Sequence, residues 1–417
     1  MLYETIIQAF TALTRSPMRS FLTMLGIVWG IVTVALLMAY GNGFRAVLVA
    51  GFDAFGKSAV VAWPGQTSQQ AGGERAGKKV RLEVEDRENI LREATLVKSV
   101  SLETVQWRSI NHGERMANTA IRGVYPEYGE IRNEVPSEGR WLSPEDFLER
   151  RRVVFLGSRL KDKLFSGRNA VGETVTISGV RFTVIGLMDR KMQLSNYFTS
   201  DDESAFIPYS SAGDLWDNRY ASVLVFSAIS PRFDKDAQNQ VLATIAKRQR
   251  FSASDDRALQ MMGREEFRPI IDGLTIGLQI LLVFIGSLTL GIGGVGLMNI
   301  MLVSVNERTR EIGLRRALGA SRKNIRTQLL CEALMLTGFG GLIGIGVAYF
   351  ISWAVGTLPM LGALFEETSG KGDIRLVISP TTLLVSAGIL MFVGLAGGMI
   401  PAIRASKLDP ADALRCE

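Results

Sequence analysis

The chain has 417 residues, 47% of them hydrophobic, with 47 Lys and Arg against 41 Asp and Glu and a net charge of +6. A lone histidine, His112 in the polar stretch SINHGERM, offers no His-based metal cluster and no catalytic triad. Two cysteines, Cys331 and Cys416, cannot staple an outer domain, and no basic patch is interleaved with aromatics, which excludes nucleic acid as a partner.

The apolar residues gather in four blocks, 21–40, 274–305, 329–355 and 376–403, each able to supply the roughly 20 residues that cross ~30 Å of hydrocarbon. Residues 1–20 place Ile6, Ile7, Phe10, Leu13 and Thr14 at helical spacing, which predicts an amphipathic helix on the inner membrane surface. Ser16 and Pro17 form a cap and first-turn pair for the first span, 21–40. With no small-residue cleavage site after it, that span reads as a signal anchor.

Residues 41–273 alternate strand and helix signals. RRVVFLG then SRLKDKLF reads strand then helix, and TVTISGVRFTVIGL reads as two strands about a Ser178-Gly179 turn. This segment carries 33 Lys and Arg against 31 Asp and Glu. It predicts an α+β domain, long enough to bury its own core. Two polar stretches, 66–79 and 188–204, read as mobile loops.

The second block, 274–305, would run to roughly 48 Å as a helix. That exceeds the hydrocarbon and predicts a stalk continuing back into REEFRPIIDG. Residues 306–328 follow as a cytoplasmic coupling segment, then the span 329–355, an outer loop 356–375, the span 376–403 and a tail 404–417. Lys and Arg concentrate in 306–326, seven against two carboxylates, which places that loop and both termini in the cytoplasm.

Within 306–321, NERTREIGLRRALGAS, Glu307 can pair with Arg310, and Glu311 with Arg308 or Arg315, at helical spacing. Ile312, Leu314, Ala317 and Leu318 supply apolar contact. Gly319 offers a stop and Ser321 a restart. The small residues in this basic helix would let another protein dock closely. Glu332, within the third span, is expected to snorkel or to pair with Arg326.

Two nucleotide-motif matches are decoys. GGERAGKK, 72–79, has Lys79 where Ser or Thr must hold magnesium, and GIGGVG, 291–296, sits in an uncharged span. The pairs Gly26 and Gly30, Gly340 and Gly344, and Gly394 and Gly398 set small residues one turn apart. They would let helices approach closely, within or between subunits.

The segment ERTREIGLRRALGASRKNI resembles the stretch after the second span of the MacB/FtsX-like ABC transporter permeases. So do MRSFLTMLGIVWGIVTVALLMAYGNG, EGRWLSPEDFLERRRVVFLGSRLKDKLF, VGETVTISGVRFTVIGL and PAIRASKLDPADALR, in order along nearly the whole chain. The resemblance implies a membrane protein of four transmembrane helices, one plus three, with a large extracytoplasmic (periplasmic) α+β domain inserted between helix 1 and helix 2, in the bacterial inner membrane.

It further implies that ATPase-driven motion crosses the membrane to that domain for export or extraction of a substrate. The partners it implies are a cytoplasmic ABC ATPase subunit, a second permease (identical or different), membrane lipids and a periplasmic adaptor protein. No cofactor is bound directly; ATP and Mg sit on the ATPase, expected as a separate subunit because the chain begins about twenty residues before its first span. The coupling contact maps onto Glu307, Arg308, Arg310, Glu311, Gly313, Leu314, Arg315, Arg316, Leu318, Gly319 and Ala320. Alternative members regulate a cell-wall hydrolase, as FtsX-type proteins do, or release lipoproteins.

Overall fold

A computed structural model describes residues 17–56, 58–70, 72–73, 75–194, 196–362 and 372–409. The expected surface helix before residue 17 and the last part of the C-terminal pattern lie outside the described residues. The chain divides into two compact units. One holds Met1–Ala46, Gly273–Leu358 and Asp373–Glu417; the other holds Val47–Asp272 and Pro359–Gly372.

The first helix, α1 (Pro17–Asp53), is 37 residues long and continues well past the expected end of the span at residue 40. Gly41, Gly43 and Gly51 do not stop it, because nothing there forces a left-handed backbone. The first residue with positive φ is Gly56, at 122°.

The outer unit follows with β1 (Ala59–Pro64), α2 (Val84–Glu93), β2 (Val97–His112), β3 (Arg115–Val124), α3 (Tyr128–Arg132), β4 (Pro136–Gly139) and α4 (Pro144–Leu148). Then come β5 (Val153–Leu156), α5 (Ser158–Phe165), β6 (Thr174–Ile177), β7 (Val180–Met188), β8 (Ala205–Pro208), α6 (Tyr209–Ala212), β9 (Val223–Ala228), α7 (Asp234–Gln249) and β10 (Leu259–Met262). One mixed sheet joins these strands in the order β10-β1-β9-β2-β3-β8-β5-β7-β4, with β6 bridging β2 and β7.

Alternation sets the two faces of the sheet. Val60 and Ala62 of β1 pack with Leu224, Phe226, Ile90 and Val241 beneath α2 and α7. Ala59 and Val61 point the other way, toward Tyr128, Ile131 and Phe206. At the far end Leu160, Leu164 and Phe165 of α5 cover Val154, Val175 and Phe182. The Ser178-Gly179 turn joins β6 to β7 with φ of 49° and 86°, the geometry a tight hairpin requires.

The segment 188–204 corrects the expectation of a mobile loop. Lys191, Met192, Gln193, Tyr197, Asp201 and Asp202 are all buried. Lys191, Gln193 and Asp201 find partners inside the protein rather than in water, so the composition that signals solvent here signals an internal network.

The membrane unit is completed by α8 (Arg264–Glu307), α9 (Thr309–Ala317), α10 (Arg322–Val355), a two-stranded ribbon of β11 (Thr357–Leu358) and β12 (Ile374–Arg375), and α11 (Pro380–Ser406). Four stretches, Met24–Asp53, Glu266–Glu307, Arg322–Val355 and Pro380–Ser406, are long and apolar enough to cross a bilayer. Their core is Ile27, Ile31, Leu290, Leu297, Leu336 and Leu390 with close neighbours. Leu274, Ile280, Phe284, Leu342 and Phe392 leave apolar surface outward, as lipid-facing side chains do.

Candidate functional site

The charged block of 306–321 does not fold as a free-standing helix. The second spanning helix runs on to Glu307, and Arg308 makes the corner, with φ −103° and ψ 14°, before α9 begins. Gly319, at φ 98°, ends the excursion. The Ser321 hydroxyl then accepts the Asn324 N–H and caps α10.

Three arginines fasten this short helix to its neighbours. Arg308 Nη1 lies 3.3 and 3.4 Å from the two oxygens of Glu332, so the acid in the third span pairs with Arg308 and not with Arg326. Helical geometry explains the correction: Glu332 is buried at 8% exposure on the side of α10 that faces the corner. Arg315 bonds Gln328 at 2.9 Å and Glu311 at 2.7 Å. Arg316 Nη1 donates to the carbonyl oxygens of Ser406 and Leu408, both at 3.0 Å, closing the C-terminal end of α11 where the helix dipole favours a cation.

The remaining residues of the block divide by face. Ile312 and Gly313 are buried, and Ala320 packs on the bundle core. Arg310, Leu314, Ala317 and Leu318 recur at helical spacing on the outward side. Leu314 is 52% exposed and Leu318 81%. Glu307 is exposed at the end of α8.

The six glycines singled out from the sequence each meet a neighbouring helix of the same chain. A Cβ on Gly26 would lie 3.5 Å from Gly293, and one on Gly30 would strike Leu290 at 2.7 Å. Gly340 and Gly344 abut Ile27 and Ile31, Gly394 abuts Thr337, and Gly398 abuts Ala333. Sequence reasoning missed their counterparts. Gly293 and Gly294, inside the decoy GIGGVG, are where α8 receives Gly26 of α1 and Gly397 of α11; the signal was the density of small residues.

It also missed a buried cluster of charge in the outer unit. Arg122 of β3 is wholly buried and bonds Glu103 of β2 at 3.0 Å, the Tyr128 hydroxyl at 3.2 Å, and the carbonyl oxygens of Tyr197 and Thr199 at 3.0 and 2.7 Å. The Tyr197 hydroxyl donates to Glu103. Arg132 of α3 reaches Asp201 at 2.8 Å and the Phe55 carbonyl at 2.7 Å. Lys191 bonds the Arg132 carbonyl at 2.6 Å and both Glu134 and Asp201 at 3.2 Å.

The carboxylates respond differently to the same burial. Burial alone would raise Asp201, but Arg132, Lys191 and Arg122 outweigh it and hold the carboxyl well below its usual range. Burial and then the charge of Asp201 push Glu134 up to about 8. Burial and Asp201 likewise push Asp202 up to about 6. Among the described residues no His, Cys, Asp and Glu group could hold a metal ion. His112 lies on Phe165, ring centres 4.1 Å apart, with Nδ1 3.1 Å from the Thr174 carbonyl oxygen.

Four apolar spanning helices, one before and three after an α+β insertion, define a multi-pass membrane protein of the permease class. The chain belongs to the MacB/FtsX-like permease family: the MacB-like periplasmic core domain matches residues 20–246, and the FtsX-like permease C-terminal domain matches 283–410. It is 32% identical over 411 residues to a macrolide export ATP-binding/permease protein MacB of Chlorobium luteolum, covering 98% of this chain and 60% of that protein. It is 29% identical over 416 residues to the MacB of Bdellovibrio bacteriovorus, covering 99% and 62%. The chain thus spans about three fifths of the length of these relatives. Among solved structures, the periplasmic region of MacB from Actinobacillus actinomycetemcomitans covers 54% of this chain and 97% of its own, at 16% identity and a TM-score of 0.42.

Proposed function

We propose that the chain is the permease part of an ATP-driven exporter, in which α9 receives the stroke of a cytoplasmic ABC ATPase that these 417 residues do not include. The observation that carries this reading is the division of labour in α9. Arg308, Arg315 and Arg316 tie it to α10 and α11, while Arg310, Leu314, Ala317 and Leu318 are left facing outward. A leucine 81% exposed beside an arginine on a short, braced helix suits insertion into a groove on another protein.

Export enters from the relatives, which are named for macrolide export, and the substrate class of this chain is proposed only as one handled on the outer side of the membrane. The spans support a role in transmission over conduction: Glu332 is committed to Arg308, and the six glycines Gly26, Gly30, Gly340, Gly344, Gly394 and Gly398 bring the helices into close contact. A second permease, identical or different, would complete the machine, with the termini and α9 in the cytoplasm.

The test is a double variant, Leu314→Asp with Leu318→Asp, made in the full chain and co-expressed with an ABC ATPase that copurifies with the unaltered chain. The expected result is a membrane-inserted permease of unchanged thermal stability that no longer copurifies with the ATPase. Retention of the ATPase in normal yield would overturn the assignment.

A further inference from the structure

We propose that Arg132, Lys191 and Asp201 form a rigid joint that fastens the last turns of α1 to the segment 188–204 and to the sheet of the outer unit. Its use in transmission rests on the function proposed above; the joint itself does not.

The end of α1 is gripped from two sides. On one side the Leu194 N–H donates to the Gly51 carbonyl at 3.3 Å, and the Leu194 side chain fills the space where a Cβ on Gly51 would stand. On the other side Arg132 donates to the Phe55 carbonyl and lays its guanidinium over the Phe55 ring, 3.4 Å from its centre. At Gly56 the Ile131 carbonyl oxygen occupies the position a Cβ would take, 2.2 Å away, so only glycine passes.

Both grips converge on one set of charges. Arg132 uses its second nitrogen on Asp201, and Lys191, three residues before Leu194, bonds Asp201, Glu134 and the Arg132 carbonyl. Asp201 then faces Arg122 at 3.7 Å, and Arg122 is paired with Glu103. The path from the helix end to β3 and β2 is therefore Arg132, Asp201, Arg122, Glu103.

Ile131, Phe206 and the ring of Tyr128 belong to the apolar cluster on this face of the sheet. What ionic groups add is directional resistance. An apolar contact can slide with little change in buried area, whereas displacing one member of a buried ion cluster strands a charge in a low dielectric. A joint between a helix and a sheet needs that property.

Hydrogen exchange of the full chain in lipid nanodiscs tests the joint. Lys191→Met is the informative variant, because Lys191 has no hydrogen bond to residues 47–56. The expected result is about tenfold faster exchange in both 188–204 and 47–56, with β1 and β9 unchanged and Lys191→Arg restoring the wild-type rates. Faster exchange in 188–204 alone, uniform loosening of the whole unit, or no change would each overturn the proposal. Arg132→Met should give a larger effect with the same pattern; if it fails to fold, Lys191→Met decides. Loss or retention of the ATPase in the Leu314 and Leu318 variant leaves this measurement untouched, since no ATPase is needed for it.

Discussion

The two charged regions of this molecule are built from the same residue types and used in opposite ways. In the outer unit Arg122, Arg132, Glu103 and Asp201 are wholly enclosed, and both terminal nitrogens of each arginine meet a carboxylate, a hydroxyl or a carbonyl oxygen. Around α9 enclosure is partial: Glu332 is buried, but the side chain of its partner Arg308 is 26% exposed and Arg310 stands outside. Full enclosure makes a region stiff and intolerant of change. Partial enclosure leaves a helix braced yet free to meet a partner.

The largest expected effect lies where enclosure is complete. Arg122→Met strands Glu103 without its cation, while Asp201 keeps Arg132 and Lys191, and should destabilise the outer unit by about 3–5 kcal/mol, read as a lowered unfolding midpoint of the purified chain in detergent. A change below about 1 kcal/mol would mean that the cluster is filler.

In the partly enclosed region Glu332→Gln keeps shape and removes charge. With the Arg308 partner partly solvated, the cost should be about 1–2 kcal/mol, and hydrogen exchange should quicken at 306–312 before it does elsewhere in the bundle. A loss as large as that of Arg122→Met would erase the distinction between the regions.

A third effect is one of pH. The native pKa of Glu134, about 8, lies above its ordinary 4.5, so the folded unit holds a proton there that the unfolded chain gives up. The stability contributed by that group is complete below pH 4.5 and is lost as the pH rises to about 8. Asp202 acts in the same sense from its ordinary 3.8 to about 6. Asp201, held low, acts oppositely and is lost only as the pH falls below its ordinary range. Glu134→Gln should therefore flatten the decline of the unfolding midpoint between pH 5 and 8, roughly the span of its shift. The same slope in the variant would remove Glu134 from the account.

The smallest effect on stability is expected at the outward face of α9. Arg310→Ser should change the unfolding midpoint by no more than corresponds to about 0.5 kcal/mol, since the side chain is exposed.

Much of this architecture was legible in the chain. Uncharged runs such as FLTMLGIVWGIVTVALLMAY can be stable only in lipid or deep in a core, and the Ser178-Gly179 turn and the Gly319 stop name their own backbone geometry. The partners of charges were not legible. Arg316 reads as a surface cation ready for another protein, yet the end of α11, ninety residues later, consumes it. Lys191, Gln193 and Asp201 read as a solvated loop, and the cluster that buries them draws on Glu103, Arg122 and Arg132 from far along the sequence.

The sequence alone thus determined the number of spans and the α+β character of the insertion, because hydropathy and periodicity act locally. The tertiary structure decided which charges are spent inside and which remain for a partner. Ion pairs depend on distance in space, and composition carries no record of which side chains will share a low-dielectric pocket.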